Sequence, residues 1–483
     1  MEKQKELLDN RIFAERLTAL CNALGKDTPQ TTNRKKALAA VVDVCDRSQV
    51  WLALATMTGH LPTEVEVIET SRAAEFDPEA LYQAVTALTN VESASLGVQI
   101  IKARDVAYVG HTAQATFLTG IQRVVWETMQ RWVRDHDITL VAMNWPAKAL
   151  RPLSDAEANR MAHGPDATGP DLSNDPSEYG FVIPWECRFF VPELAGSAEL
   201  TKHLRAMLRF GRNALNAIGF DLIPFSTSET TATGMSNSYA EYLTVLRYAK
   251  NIVPISEAAA VEFSGWAKTL SAIGYPAPAV KAVPLPASAG EVTEQNLAEA
   301  ARRFKVMNLP LVLVVGSHEP RKNHLAILQA AELLWREGLK FSLTFVGGHS
   351  WMADEFYQNL AHLQAVGRPV ESVTGLDDAL LWAAYRLADF TVFPSLNEGF
   401  GLPVVESLAV GTPAITSNYG SMAEIAADGG CLLVDPRDDD AITDAMRQLL
   451  TDPDLLERLR EQALRIPRRT WDDYAAEVWY AIQ

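Results

Sequence analysis

The distribution of apolar residues changes near residue 100. Before it, apolar side chains recur at helical spacing, as in the stripe Phe13, Leu17 and Leu20, and strand-like runs are missing. After it, short β-branched and apolar runs alternate with amphipathic stretches, which is typical of strands that alternate with helices. The pattern predicts a separate helical module over residues 1–95, followed by α/β structure.

The α/β part divides into two halves. In the first we predict strands at residues 106–109, 138–143, 251–255 and 280–285, and a strand that leads into a loop at 217–224. We also predict helices near 121–129, 200–215 and 257–263, and a long loop at 146–180. In the second we predict strands at 311–315, 341–346, 390–393, 414–416 and 431–434, and helices at 325–336, 379–387, 404–410 and 441–450. This alternation favours two parallel, doubly wound sheets, with a ligand in the cleft between them at the carboxyl ends of the strands.

The composition is that of an ordinary soluble protein with more than one domain. The 483 residues exceed the size of one domain, and 43 basic against 60 acidic residues give a net charge of −17. Such a charge disfavours nonspecific binding to nucleic acid. The four cysteines are scattered and form no C-x-x-C pair, so we predict a reducing compartment and no structural zinc.

Export and membrane signals are missing from the sequence. The N-terminus lacks the apolar core of a signal peptide, and no apolar run reaches the roughly 18 residues that a membrane span needs. We therefore predict a cytoplasmic protein. A basic row on the predicted helix 200–215 leaves two alternatives, a solvated charged face or a peripheral contact at the inner face of the membrane; its members are Lys202, Arg205, Arg209 and Arg212.

The segment 389–411 carries the strongest chemical signal. An apolar strand is followed by two glycines, Gly399 and Gly401, and then by a helix that Pro403 can begin. Free N–H groups and the positive end of the helix dipole make such a turn an anion site. Glu398 and Glu406 flank it, and because carboxylates repel a phosphate, they are better placed to bind hydroxyls. A phosphate with a ribose and a sugar is the predicted ligand.

These residues also carry a family resemblance. The run S-L-N-E-G-F-G-L-P-V-V-E-S, with the following G-T-P-A-I-T-S-N, resembles the E-x7-E segment of retaining glycosyltransferases of family 4. The likeness covers most of residues 311–436 and includes V-G-S-H-E-P-R-K-N-H and C-L-L-V-D-P. It implies the GT-B fold: an acceptor domain at 100–286, a linker, a donor domain at 297–466, and a terminal helix at 467–483 that crosses back to the acceptor domain.

The resemblance also implies roles for the segment 389–411. Glu398 would face the hydroxyls of the transferred sugar, the turn Gly399, Phe400, Gly401 and Leu402 would hold the diphosphate, and Glu406 would accept from the ribose hydroxyls. Further donor-binding residues would be Gly120, Gly316, Ser317, Thr374, Gly375 and Leu376.

Cations should stabilise the charge that builds on the departing phosphate. Lys322 matches the lysine of the family, whereas Ser317 stands in place of its arginine, for which Arg321 can substitute. The family's pocket histidine is replaced by Phe220, and Asp221 beside it is either catalytic or a brace for its loop. The departing phosphate itself would then take the acceptor's proton.

The resemblance implies a retaining, metal-independent hexosyltransferase without a cofactor, active in bacterial polysaccharide or glycoconjugate synthesis. No D-x-D motif lies in residues 311–436 to hold a metal. GDP-mannose is the first expectation for the donor and a UDP-sugar the second, and the acceptor would be a glycan, a lipid-linked sugar or a protein. Two alternatives stay open: a sugar-nucleotide 2-epimerase, and a non-catalytic sugar-nucleotide binder. The helical module could also form a homo-oligomer.

Overall fold

A computed structural model describes residues 8–165, 167 and 180–483. Its helices, α1 to α22, are Asn10–Leu24, Arg34–Val41, Arg47–Thr58, Glu64–Ala74, Ala80–Leu88, Val91–Ala94, Gly110–Gln114, Gly120–Asp135, Asp155–His163, Ala198–Phe210, Ile223–Ser226, Met235–Leu246, Glu257–Ala272, Glu294–Phe304, His324–Arg336, Asp354–Ala365, Asp378–Leu387, Leu402–Ala409, Gly420–Ala426, Asp439–Thr451, Pro453–Arg465 and Trp471–Ala481. Its strands, β1 to β15, are Val98–Lys102, Asp105–Tyr108, Ile138–Asn144, Ala149–Pro152, Phe181–Trp185, Arg188–Val191, Ala214–Gly219, Ala249–Pro254, Ala279–Val280, Leu311–Val315, Ser342–Val346, Val370–Val373, Phe390–Phe393, Ala414–Ser417 and Cys431–Val434. Two 3₁₀ turns add Ser228–Thr230 and Pro320–Lys322.

Helices α1 to α6 have the helical character that the sequence predicts, but they do not form a separate module. Trp51 of α3 is fully buried and stacks on Trp185 of β5, with ring centroids 6.4 Å apart. Buried side chains of these helices and of the first sheet form one continuous hydrophobic cluster. Helical periodicity shows that one face is buried without showing which element covers it, which is why the shared core was not predicted.

The basic row lies at the junction between these helices and the first sheet. Every cation of the row has an acidic partner within 4 Å: Lys202 with Glu199, Arg205 and Arg209 with Glu64, and Arg212 with Asp46. Three of the four therefore join α10 or its end to the N-terminal helices, an arrangement that neither alternative described. Within the described residues, no helix has the length and apolar character that crossing a membrane would require. Peripheral membrane contact stays a prediction.

The N-terminal sheet has nine strands in the order β1-β5-β4-β3-β2-β6-β7-β8-β9. It is parallel except at β4, which runs antiparallel to β3 and β5. The prediction of a fully parallel sheet and of a loop at 146–180 was wrong here, because β4 and α9 fill residues 149–163. The short A-L-R-P strand has no β-branched residue that would mark it in the sequence. Residues 166 and 168–179 lie outside the described residues.

Two further boundaries in this half differ from the prediction. The helix predicted at 200–215 ends at Phe210, and Leu215 belongs to β7, since Gly211 separates the two elements. The strand predicted at 280–285 is reduced to Ala279–Val280. In addition, the stretch 217–224, predicted as a strand that leads into a loop, contains the end of β7 and the start of the short helix α11.

The C-terminal sheet has six parallel strands in the order β12-β11-β10-β13-β14-β15. All five predicted strands are confirmed to within a residue, and β12, with the half-polar sequence V-E-S-V, was missed. The chain winds outward from β10 to β12 and then returns to place β13 on the other side of β10. The carboxyl ends of β10 and β13 therefore border the switch point, where open α/β sheets bind ligands.

The terminal helix α22 crosses back to the N-terminal lobe, as predicted. Its residues Trp471, Tyr474 and Val478 are buried in a cluster with side chains of that lobe. The indole Nε1 of Trp132 in α8 donates to the carbonyl of Ala475 at 2.9 Å. The crossover into this helix runs beside the start of the linker, where the Arg469 side chain donates to the carbonyl of Pro284.

Candidate active site

The turn between β13 and α18 lies at the switch point of the C-terminal sheet. Gly401 precedes the helix with φ 117°, a conformation that other residues rarely adopt, and no side chain caps the helix. Among the described residues, the N–H groups of Phe400, Gly401 and Leu402 have no hydrogen-bond acceptor. Three free donors thus lie together at the positive end of a helix, which is the arrangement that the predicted anion site requires.

Two cations face this turn from the 3₁₀ turn that follows β10. Arg321 Nη1 lies 2.5 Å from Glu398 Oε2, and Lys322 Nζ lies 2.9 Å from Glu398 Oε1. Ser395 Oγ donates to the same Oε1 at 2.9 Å. Burial alone would raise the pKa of Glu398, but the charges of Arg321 and Lys322 outweigh it and hold the pKa at about 2. Glu398 is therefore ionised and shared between the two cations.

A second carboxylate, Glu319, belongs to this cluster and was missed by sequence reasoning. It is buried, and its Oε1 lies 3.0 Å from Arg321 Nη2 and accepts from Ser317 Oγ at 2.9 Å. Burial opposes the charge of Arg321, yet Glu398 and Glu319 together raise the pKa of its guanidinium. Two buried cations thus balance two carboxylates. The position of Glu319 inside H-E-P-R-K was the only available signal.

Glu406 is held from both lobes. Its Oε1 accepts from Arg123 Nη1 of α8 at 2.9 Å, and its Oε2 accepts from the Tyr385 hydroxyl of α17 at 2.9 Å. Burial raises the pKa of Glu406 against the opposing charge of Arg123 and the hydrogen bond from Tyr385. Sequence reasoning singled out Glu406, but it gave this residue no protein partner and missed both Arg123 and Tyr385.

The loops of the N-terminal lobe close over the turn. A Cβ on Gly399 would lie 2.5 Å from the carbonyl oxygen of Phe220, so only glycine allows this approach. Ser256 Oγ, which caps α13, also donates to the carbonyl of Gly399 at 2.6 Å. The Glu424 carboxylate accepts from the N–H groups that begin α13, so Glu424 acts as a brace between lobes.

The family comparison agrees with this geometry. Residues 298–465 match the model of the family described as glycosyl transferases group 1. The match covers most of the C-terminal lobe, which is therefore similar to the proteins of this family. The serotype-specific mannosyltransferase WbdA of Escherichia coli is 26% identical over 270 residues, which cover 53% of this chain and 33% of WbdA. The O-antigen chain mannosyltransferase B of the same species is 38% identical over 143 residues, which cover 29% of this chain and 36% of that protein.

The structural comparison extends beyond residues 298–465, which match the family model. A crystal structure of Anabaena HepE in complex with UDP and glucose matches 80% of this chain and 98% of that chain, with 12% sequence identity and a TM-score of 0.55. At this identity the match concerns the fold alone, and it confirms the GT-B prediction. The chain spans about a third of the length of the two mannosyltransferases that it matches.

The remaining predicted donor residues fall into three groups that lie at different places around the turn. Gly316 and Ser317 directly follow β10, whereas Thr374, Gly375 and Leu376 follow β12 at the edge of the sheet. Thr374 and Gly375 are exposed, and Leu376 is partly buried. Gly120 begins α8 in the other lobe, where a Cβ would come within 3.5 Å of Leu402. The structure thus brings Gly120 to the turn and leaves the Thr374 segment at the periphery.

Asp221 lies beside the turn but forms no ion pair among the described residues. Its Oδ1 accepts from the Ile223 N–H at 3.1 Å, and its Oδ2 would lie 3.1 Å from a Cβ on Gly399. Burial raises the pKa of Asp221 to about 6, although Arg321 acts in the opposite direction. The hydrogen bond to its own loop supports the role of a brace, and the free oxygen is directed towards the turn.

We expect Asp221→Asn to change stability in a pH-dependent way. Between pH 4 and pH 6 the folded protein retains a proton on Asp221 that the unfolded chain has released, so wild-type stability falls as pH rises through this window. Asn keeps the acceptor for Ile223 and carries no charge. The free energy of unfolding of the variant should therefore match that of the wild type at pH 4 and exceed it by about 1 to 2 kcal/mol at pH 8.

Thermal unfolding of Asp221→Asn between pH 4 and pH 8 measures this effect. The exposed Asp428→Asn substitution is the control and should leave the pH profile unchanged. If the difference in stability between Asp221→Asn and wild type is the same at every pH, the Asp221 carboxyl of the folded wild type is already ionised at pH 4.

Proposed function

We propose that the chain is a retaining glycosyltransferase that moves a hexose from a nucleoside diphosphate sugar to a glycan, lipid-linked or protein acceptor. One observation carries this proposal: three free N–H donors at the start of α18 lie beside Arg321 and Lys322, in a cleft where Glu398 and Glu406 offer acceptors. A diphosphate needs the donors and cations, and the hydroxyls of a sugar and a ribose need the carboxylates. A sugar nucleotide contains all three groups.

The charges of the site support the reaction. When the bond between the anomeric carbon and the phosphate oxygen breaks, negative charge builds on the nucleoside diphosphate, and the N-terminus of α18 with Arg321 and Lys322 stabilises it. The acceptor oxygen bonds to the anomeric carbon on the face that the phosphate leaves, and its proton passes to the departing phosphate. No protein base is needed, which is consistent with the apolar Phe220 at the family's histidine position.

The relatives support a choice of donor. Both curated relatives cited above are named mannosyltransferases, and the first acts in a serotype-specific context while the second is assigned to O-antigen chains. We therefore propose GDP-mannose as the first donor and bacterial surface polysaccharide as the setting. A UDP-sugar is the second candidate, because the structural neighbour HepE was crystallised with UDP and glucose. We propose that transfer needs no metal, because two cations and a helix dipole already face the diphosphate.

Release of nucleoside diphosphate from GDP-mannose and from UDP-glucose tests the proposed function. Release that depends on an added mannan or lipid-linked mannose acceptor, and that EDTA does not abolish, would support the transferase. Acceptor-independent conversion of the sugar nucleotide would support an epimerase. Binding of GDP or UDP in a thermal-shift assay without any turnover would favour a non-catalytic binder.

A further inference from the structure

Arg123 is the residue of the N-terminal lobe that reaches the carboxylate of Glu406. Its Nη1 lies 2.9 Å from Glu406 Oε1, and the two side chains are 27% and 11% exposed. The guanidinium also lies over the ring of Trp382, 6.0 Å from its centroid. Arg123 is therefore held by two residues of the C-terminal lobe, although it belongs to α8 in the other lobe.

The pairing leaves Glu406 able to bind more donors. A carboxylate has about four lone-pair sites, and in this structure Arg123 and the Tyr385 hydroxyl use two of them. Two sites remain for a ligand that presents two neighbouring hydroxyls. Among the described residues Arg123 is the only cation within 4 Å of Glu406, so its loss would leave a buried carboxylate without a countercharge.

We infer that Arg123 is a positioning residue that holds the Glu406 carboxylate oriented toward the two ribose hydroxyls of the donor. The inference rests on the proposed function, because it takes the ligand to be a ribonucleotide. It follows that ribose recognition is complete only when the two lobes are docked, since the cation comes from one lobe and the carboxylate from the other. Helix α8 thus contributes to donor selectivity through Glu406.

The test compares nucleotides that differ only in the ribose hydroxyls. Calorimetric titration of GDP and 2′,3′-dideoxy-GDP, with UDP and 2′,3′-dideoxy-UDP in parallel, should show that wild-type protein prefers the ribonucleotide by about tenfold or more. In Arg123→Gln this preference should fall to near one, because affinity for the ribonucleotide drops while affinity for the dideoxy analogue stays the same. Arg134→Gln on the same helix, which loses an ion pair with Asp472, is the matched control.

The outcomes separate the positioning role from other roles of Arg123. If Arg123→Gln lowers the affinity for the ribonucleotide and for its dideoxy analogue by the same factor, the inference is overturned. A direct contact with the diphosphate or a general link between the lobes would affect both affinities equally. An unchanged preference would overturn it as well. If Arg123→Gln does not fold, Arg123→Lys replaces it and should lower the preference by a smaller factor. Failure of the proposed function is distinguishable by two other results. A site that takes no nucleotide would bind neither GDP nor UDP, and a site that is not a transferase would bind one of them without acceptor-dependent turnover.

Discussion

Replacing Lys322 with Ala should reduce glycosyl transfer by about 100-fold to 1,000-fold, the range seen when one preorganised donor to a developing anion is removed. Lys322 Nζ is buried beside the turn that carries the free N–H donors, and in the free protein it contacts Glu398 at 2.9 Å. Water cannot supply an equivalent charge at this buried position. The loss should therefore appear mainly in kcat, as a transition-state effect, with a smaller change in KM for the sugar nucleotide.

Steady-state kinetics with the donor identified by nucleotide release measures the effect of Lys322→Ala. Lys305→Ala, an exposed lysine of the same lobe, is the control and should retain wild-type rates. Lys322→Arg keeps the charge and should recover part of the lost activity. Since the Ala variant also leaves Glu398 with one cation fewer, thermal unfolding must show that it is folded at the assay temperature. A folded Lys322→Ala variant with nearly normal kcat would contradict the assigned role.

Replacing Glu398 with Gln should abolish most of the activity and, at the same time, strengthen binding of the free nucleoside diphosphate. In the free protein both carboxylate oxygens of Glu398 are engaged by the cations that the diphosphate needs. Gln removes this competition and the repulsion between carboxylate and phosphate. Affinity for the diphosphate should then rise several-fold, whereas turnover should fall by about 100-fold or more because the acceptor for the sugar hydroxyls is weakened.

The stability of Glu398→Gln gives an independent measure of the same competition. Removing the carboxylate leaves Arg321 and Lys322 close together in a buried site, with Glu319 as their remaining partner. We expect the free variant to lose about 3 kcal/mol of stability, in the range for breaking a buried ion pair. Saturating GDP should stabilise the variant more than it stabilises the wild type. Weaker nucleotide binding by Glu398→Gln would show that Glu398 does not compete for the cations.

The chemistry of the anion site could be predicted because it lies in two short continuous runs. The glycines, the helix start and Glu398 fall within 13 residues of 395–407, and Arg321 and Lys322 follow a strand whose carboxyl end was evident. In a parallel sheet, strand ends meet at one edge, so the runs had to converge. The five predicted strands of the C-terminal sheet follow from the same alternation of strands and helices.

The pairs formed across the cleft could not be predicted. Arg123 and Glu406 are separated by 283 positions, and no local pattern records that the lobes bring them to 2.9 Å. The competition of Glu398 for Arg321 and Lys322 is likewise a property of the folded site, because the sequence alone shows the carboxylate and the cations as separate ligands. The antiparallel β4 was missed for a different reason, since a short strand without β-branched residues has no distinguishing pattern.

The most direct measurement is a crystal structure of the protein bound to a nucleoside diphosphate, GDP first and UDP second. The diphosphate oxygens should lie about 3 Å from the N–H groups of Gly401 and Leu402 and from Lys322 Nζ, with the ribose hydroxyls at Glu406. A nucleotide bound away from the start of α18, or no nucleotide at millimolar concentration, would contradict the assignment of this cleft as a donor site.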